Sequence, residues 1–497
     1  MKHLLFCALL ALFNLQGFGA NQIDKLVDTS LKSEKITPSE ICSDEVYVRR
    51  LYLILIGKLP TANEAIEFID SESKTKRKDL ATKLLSTTDY VDFQVVKWGD
   101  LLKIKSEFPS NLWPNGVQAY NRWVREKISA NTPYDQFVRD LLLCSGSNFR
   151  TPQVNFYRAF VTRTPETIAE NVEMLFLGSR TLSKEAPIFF SQVKYKSSGE
   201  WKEEIVYTDL DIAPEVSLVT MSDGKKITLN EREDLRESYV AWLTSKENRQ
   251  FARAMANRIW YWMMGRGVVH EADDFRADNP ASNPKLLEHL TDEFIKSGYD
   301  IRKLMAMIVE SNTFQRSSIS NESNKSDVAL FSHYPTIRLT AEQIIDGLSA
   351  LTGINDRYVS RVPEPYSYYP SDMTSTDIGD ATVSSPQLDL FGRPSRDFSL
   401  ENQRVNDLNS KQTLYLLNAT SINTKISTSK LITQMVEKQE SREDVIREIY
   451  LMMLSRRPSA EETAAILSYV KSNQSMRAMA SDLIWAMLNS PEYLFNH

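Results

Sequence analysis

From Glu247 to Phe314 apolar residues recur at helical spacing, and each break in the pattern falls on residues suited to a turn. Phe251, Met255, Ile259 and Trp262 lay one apolar stripe along a helix, while Arg249, Arg253, Asn257 and Tyr261 form a polar stripe on another face. Gly265 and Gly267 tolerate positive φ and stop that helix within a turn of Met264. A charged loop follows, with His270, Glu271, Asp273, Asp274 and Arg276. Asn279-Pro280 and Asn283-Pro284 each set a capping asparagine before a proline fit for the first helical position. The next helix presents Leu286, Leu287, Leu290 and Phe294 and closes at Gly298. Asp300 caps another, with Ile301, Leu304, Met305 and Ile308 inward.

The same pattern predicts helices over Gln22–Ser33, Asp44–Ile56, Phe93–Ile104, Tyr120–Ile128, Gln136–Leu143 and 165–177. One unit recurs. Ile449 to Glu462 aligns without gaps on Leu51 to Glu64, down to a capping box at Thr61/Glu64 and at Ser459/Glu462. Leu488-Asn489-Ser490-Pro491-Glu492-Tyr493 likewise matches Leu85-Ser86-Thr87-Thr88-Asp89-Tyr90, and Val309 to Phe314 repeats that ending. In each case an aromatic residue is placed to pack back on the helix pair.

The period changes in the middle of the chain. Ile188–Tyr195, Glu204–Tyr207, Ser217–Thr220 and Lys226–Leu229 are short, partly alternating and β-branched, with Asp223-Gly224 as a tight turn. The expected fold is therefore mainly α, with two helical domains and a small β-rich insert between them. The boundaries fall at 1–20 for a signal peptide, 21–185 for the N-terminal domain, 186–230 for the insert and 231–497 for the C-terminal domain. Thr340 to Gln343 starts a further helix, and Asp356–Ser399 is a long aperiodic loop of the kind that is often functional or mobile.

Composition adds location more than activity. A net charge of −6 in 497 residues is spread along the chain, with no basic face for a nucleic acid. Lys2 and His3 precede the apolar run Leu4–Phe13 and the small residues Gly17, Gly19 and Ala20, which is the layout of an export signal. The run is too short for a membrane span of roughly 20 apolar residues, so an exported, periplasmic or extracellular protein is expected. Cys42 and Cys144 would then be the remaining thiols; an oxidising compartment would let them pair, and two buried free thiols are the alternative. No Cys/His spacing matches a zinc or haem site, so no metal or cofactor is expected.

The candidates for catalysis are His270, Asp273, Asp274 and Asp100. Carboxylates beside an imidazole could ligate a hard cation or move protons. The alternative is that Asp273 or Asp274 pairs with Arg258 or Arg266 and braces a structural junction that also includes Asn257, Arg276 and Asn279. Asp100, in a helix with Lys97 and Lys103, carries the same ambiguity.

Several segments resemble a family. Arg49-Arg50-Leu51, Gly57-Lys58-Leu59-Pro60-Thr61, Trp98-Gly99-Asp100-Leu101 and Pro133 to Arg139 are similar to the first of two domains that occur fused in secreted planctomycete-type proteins, abbreviated PSCyt and PSD. Asn257-Arg258-Ile259-Trp260, Gly265 to Val269, Asp273 to Arg276, Phe391-Gly392-Arg393-Pro394 and Leu488 to His497 are similar to the second. The resemblance implies domains of unknown function, often beside a cytochrome-c-like domain, and a binding or assembly role next to secreted sulfatase-like partners. Relatives commonly carry a Cys-x-x-Cys-His run where this chain has Ser179 to Ala186, and a Cys-x-Cys pair where it reads Phe398-Ser399-Leu400-Glu401. Covalent haem attachment needs those thiols. Their joint loss predicts that the segments at Arg180 and Phe398 are spatial neighbours. The competing expectations are a polysaccharide-directed hydrolase and a redox-associated protein that has lost its haem motif.

Overall fold

The computed structural model describes residues 21–107, 109–360, 362, 369–471 and 473–497. The signal peptide expected over 1–20 lies outside the described residues. The chain is mainly helical, with three small antiparallel sheets among the described residues, and no described helix is long and apolar enough to cross a membrane.

Local chemistry explains the recurring unit. The helix Asp44–Ile56 begins at Ser43, whose side chain accepts from the Val46 N–H, and ends at Gly57 in the left-handed region with φ 70°. A Cβ at Gly57 would stand 2.4 Å from the Phe93 ring, so glycine is required there for space as well as for backbone freedom. The helix Ala62–Asp70 follows from a complete Thr61/Glu64 capping box. At the other end of the chain Arg442–Leu454 starts at Ser441, stops at Ser455 with φ 58°, and leads through a complete Ser459/Glu462 capping box into Ala460–Tyr469. The surroundings repeat as well: Lys58 pairs with Asp89 as Arg456 pairs with Glu492, and Tyr52 bonds Glu64 as Tyr450 bonds Glu462. Ala62 and Ala65 pack directly on Leu451, so the two hairpins meet.

The aromatic endings also agree. Thr87, Ser311 and Ser490 each cap a new helix by accepting from the N–H of Tyr90, Phe314 and Tyr493, and all three rings are buried.

The middle of the chain departs from expectation at its start. Residues 188–190 belong to a helix, Ala186–Phe190, rather than to a strand. Phe189 and Phe190 both pack on Tyr239, and this tertiary contact overrides their strand preference. The strand begins at Val193 and pairs over Val193–Ser197 with Glu204–Thr208, whose other edge takes Gly146–Ser147. Leu218–Thr220 and Lys226–Thr228 form a separate hairpin around Gly224, φ 84°.

Packing gathers the buried residues into two large cores. One hydrophobic core takes in residues from Ile23 to Tyr334 on both sides of the insert, and a second runs from Leu339 to Leu494 with Leu53 joining it. Arginines bind the two. Arg49 donates to the carbonyls of Met453 at 2.7 Å and Tyr493 at 2.8 Å. Arg50 donates to Phe314 and His497 carbonyls and lies 3.7 Å from the centre of the Tyr334 ring. Ile337–Arg338 pairs antiparallel with Phe495–Asn496.

Candidate functional site

The helix Arg249–Met264 forms as its apolar spacing predicts, but its polar stripe is not all on the outside. Asn257 is fully buried. Its amide donates to the Val269 and Ala272 carbonyls at 2.9 and 3.1 Å and accepts from the Val269 N–H at 2.9 Å, so it templates the following loop. Gly267 makes this possible, because a Cβ there would lie 2.1 Å from the Val269 carbonyl oxygen.

Asp273 and Asp274 are both buried and both paired. Arg258 donates to Asp273 Oδ1, and the other carboxylate oxygen accepts the Glu401 N–H at 2.8 Å. The side chains of this pair are 1% and 2% exposed. Arg276 grips Asp274 through Nε and Nη2 at 2.8 and 2.7 Å, and this bond holds the Asp274 carboxyl below its usual range. Of the two arginines expected as partners it is Arg258 that takes Asp273, while Arg266 pairs with no carboxylate among the described residues. Asn279 does not cap a helix; it donates to the Asp274 carbonyl at 2.7 Å. Asn283 does cap one, accepting from the Leu286 N–H. The loop charges therefore brace the junction.

Gly178 and Glu401, which adjoin or belong to the segments at Arg180 and Phe398, both reach this turn. Gly178 accepts from the Phe275 N–H at 3.0 Å, the Arg180 charge acts on Asp274, and the Glu401 N–H bonds Asp273.

Asp100 pairs with neither neighbouring lysine. Arg396 Nε lies 2.8 Å from Asp100 Oδ1 and Arg404 Nη2 lies 2.7 Å from Oδ2, while Arg404 Nη1 reaches Glu342 at 2.6 Å. Gly99 admits the guanidinium: a Cβ there would stand 2.9 Å from Arg396. Burial opposes the charge on Arg404, but Asp100 and Glu342 outweigh it and hold its proton more tightly than usual. The Glu342 carboxyl is correspondingly kept below its range against the effect of burial.

This ion cluster forms one wall of a cleft with a volume of about 430 Å³. Asp100 and His270 line it; Asp273 and Asp274 do not. Leu53, Ile54, Phe93, Tyr261 and Trp262 supply apolar surface. Lys97 projects between the Phe93 and Trp262 rings, 4.7 and 5.2 Å from their centres. Burial lowers its amine to about 7, with Glu401 opposing that shift. Glu401 accepts from Trp262 Nε1 at 2.8 Å; burial first, then the Asp273 charge, raise its carboxyl to about 7. Burial and then Arg266 depress the His270 imidazole. Lys97, Arg338, Glu342, Glu401 and Arg404 are thus site residues that sequence reasoning did not single out. Glu401 and Glu342 lie within quoted segments and Lys97 adjoins one, but none of these segments signals a cleft.

Among the described residues no group of three or more His, Cys, Asp or Glu is arranged to hold a metal ion. Cys42 and Cys144 are separate, buried free thiols. Residues 22–183 match the family model PSCyt2, protein of unknown function (DUF1549), and residues 235–470 match PSD1, protein of unknown function (DUF1553). No curated protein and no solved structure matches the chain.

Proposed function

The chain belongs to the two-domain family that joins PSCyt2 to PSD1, and on that premise we propose an exported binding or assembly component that holds a polar ligand in the cleft beside Lys97. The observation that carries this reading is the state of the carboxylates. Asp273 and Asp274 are fastened to Arg258 and Arg276 away from the cleft, and Asp100 and Glu342 are tied to Arg404. Acid/base hydrolysis needs carboxyl groups free to exchange protons at the ligand. Binding needs a polar group that the fold leaves to a ligand, and Lys97, which faces the Phe93 and Trp262 rings and makes no ion pair within 4 Å among the described residues, is such a group in the cleft. Export rests on the leader pattern of residues 1–20, and an assembly with a secreted sulfatase-like protein is part of the same proposal.

Glu401 favours a second reading. A carboxyl raised to about 7 inside a cleft has the property of a general acid, which would suit an extracytoplasmic polysaccharide hydrolase. One experiment separates the two. The protein is incubated with envelope polysaccharide, and retained polymer and released reducing ends are both measured. Retention without release supports binding. Release that disappears in Glu401→Gln overturns it in favour of hydrolysis.

A further inference from the structure

Lys97 enters the cleft from the helix Thr88–Leu101. Its amine stands 4.7 Å from the centre of the Phe93 ring and 5.2 Å from that of Trp262. Phe93 lies one turn earlier on the same helix and Trp262 on the helix Arg249–Met264, so two elements bring their rings to one amine. Lys97 is half-buried and lines the cleft, which leaves it within reach of a solute. The same indole serves a second group. Trp262 Nε1 donates to Glu401 Oε1 at 2.8 Å, and Glu401 lines the cleft too. Amine and carboxyl thus flank one tryptophan, and both are poised near neutrality. Burial brings the amine down to about 7, with Glu401 opposing and Arg404 assisting. Burial and then Asp273 bring the carboxyl up to about 7, against the pull of Arg258 3.5 Å away.

The charges of the lining narrow the ligand. Arg404 is held by Asp100 and Glu342, Asp407 acts on Arg338, and Glu401 acts on Lys97. No open cation is left to seat an anion, and Lys97 in its protonated form turns a cation away. An uncharged ligand fits, and an unprotonated amine beside a carboxylic acid selects a carbonyl carbon. We propose that Lys97 condenses with an uncharged aldehyde or ketone held in the cleft, with Glu401 as the acid, and so fastens the ligand as an imine. The amine lone pair attacks the carbonyl carbon. As the N–C bond forms, the C=O π pair moves onto oxygen, which takes the Glu401 proton, and a proton from nitrogen returns to the carboxylate. The carbinolamine hydroxyl then leaves as water with a second proton from Glu401, while the nitrogen lone pair closes the C=N bond. The last N–H proton goes back to Glu401. One water is released, and nothing is oxidised or reduced. Tyr261 and Ile54 offer apolar surface to the carbon skeleton.

This inference rests on the binding reading and is tested separately from it. The whole protein is incubated near neutral pH with glyceraldehyde or benzaldehyde and sodium cyanoborohydride, which reduces an imine to a stable secondary amine. Glycerol and benzyl alcohol, which lack the carbonyl, serve as blanks, and peptide mass mapping over time locates the modified lysines. An ordinary lysine near 10.4 has fewer than about one amine in a thousand unprotonated at neutral pH, so Lys97 should be labelled at least about tenfold faster than surface lysines by one aldehyde or both. Lys97→Arg keeps a cation without the nucleophile and should remove the fast label. Glu401→Gln separates an acid from a mere neighbour. Loss of the Glu401 charge alone would leave more free amine and speed labelling, whereas loss of the acid should slow it on the order of tenfold or more. Wild-type Lys97 labelled no faster than surface lysines would overturn the inference without recourse to any variant. An equally fast label in Lys97→Arg, or faster labelling in Glu401→Gln, would overturn it as well. Retention of polymer without an adduct on Lys97 would sink this inference alone and leave the binding reading standing.

Discussion

Arg404 and Asp100 lie 2.7 Å apart although 304 positions separate them in the chain. Through Glu342 on its other side, Arg404 joins the helix Thr88–Leu101 to the helix Ala341–Thr352. Removing only the cation leaves two carboxylates enclosed with reduced compensation. Arg404→Met should lower stability by about 3–5 kcal/mol, the range for breaking one partner out of a buried ion pair. Urea unfolding followed by circular dichroism measures it. A loss below about 1 kcal/mol would mean that the cluster behaves as a surface pair.

Arg258 and Asp273 form an even more enclosed pair. Asp273→Asn keeps the shape but leaves the guanidinium only the more distant Glu401 carboxylate, 3.5 Å from Nε, so a loss toward the lower end of the same range is expected, about 3 kcal/mol. Asp274→Asn, whose partner Arg276 is 54% exposed, should cost about 1 kcal/mol or less. Comparing the two unfolding midpoints checks the ranking. Equal effects would remove the distinction between the two aspartates.

The cleft also makes a prediction about pH. The Glu401 carboxyl rises to about 7 on folding; between roughly 4.3, its unperturbed value, and 7 the native state binds the extra proton. Its contribution to stability therefore falls as pH increases through that window. The Lys97 amine falls to about 7; from 7 to roughly 10.4 the unfolded chain binds the extra proton, and stability rises with pH. The two slopes have opposite sign and meet near neutrality. Unfolding free energies across pH 5–9 should show that Glu401→Gln flattens the acid side and Lys97→Met the alkaline side. Parallel curves for wild type and both variants would refute it.

The hairpin repeat predicts an asymmetry between its copies. Ser455 occupies the left-handed position that Gly57 holds in the first copy, and its buried hydroxyl has no partner. Ser455→Gly should be neutral or raise stability by about 0.5–1 kcal/mol, because relief of the strained backbone is partly offset by the entropy of the unfolded chain. Gly57→Ser should lower it, since the new Cβ meets the Phe93 ring. Thermal unfolding of the pair tests this, and a destabilised Ser455→Gly would show that the copies are not conformationally equivalent.

Cys42 and Cys144 are both buried, and burial raises the Cys144 thiol to about 12. Neither should react with a maleimide until the protein unfolds, and each should then add one label by intact mass. A native mass two units lower, restored by reductant, would indicate a disulfide instead.

Much of this architecture was legible because local chemistry wrote it down. Capping boxes at Thr61, Thr340 and Ser459 and the glycines at 57 and 265 act within a few residues, so reading along the chain finds them. Arg258 and Asp273 were legible as a candidate pair because a single loop separates them. Asp100 reads as ambiguous beside Lys97 and Lys103 because nothing in its own helix announces Arg396 or Arg404. The cleft was not legible for the same reason: Lys97, Arg338 and Glu401 come from three distant segments. Packing also crosses the insert that marks the family boundary, since periodicity reports the elements and not which elements share a core.

The grip of Arg49 and Arg50 has an implication for biosynthesis. Their acceptors lie 404, 444 and 447 residues downstream, so a nascent chain that has emerged only through its first half holds two interior cations with nothing to satisfy them. Such an intermediate stays open until the final helices arrive. On the proposal that the chain is exported, a secretion machinery that threads unfolded polypeptide would find this one still loose for most of its synthesis.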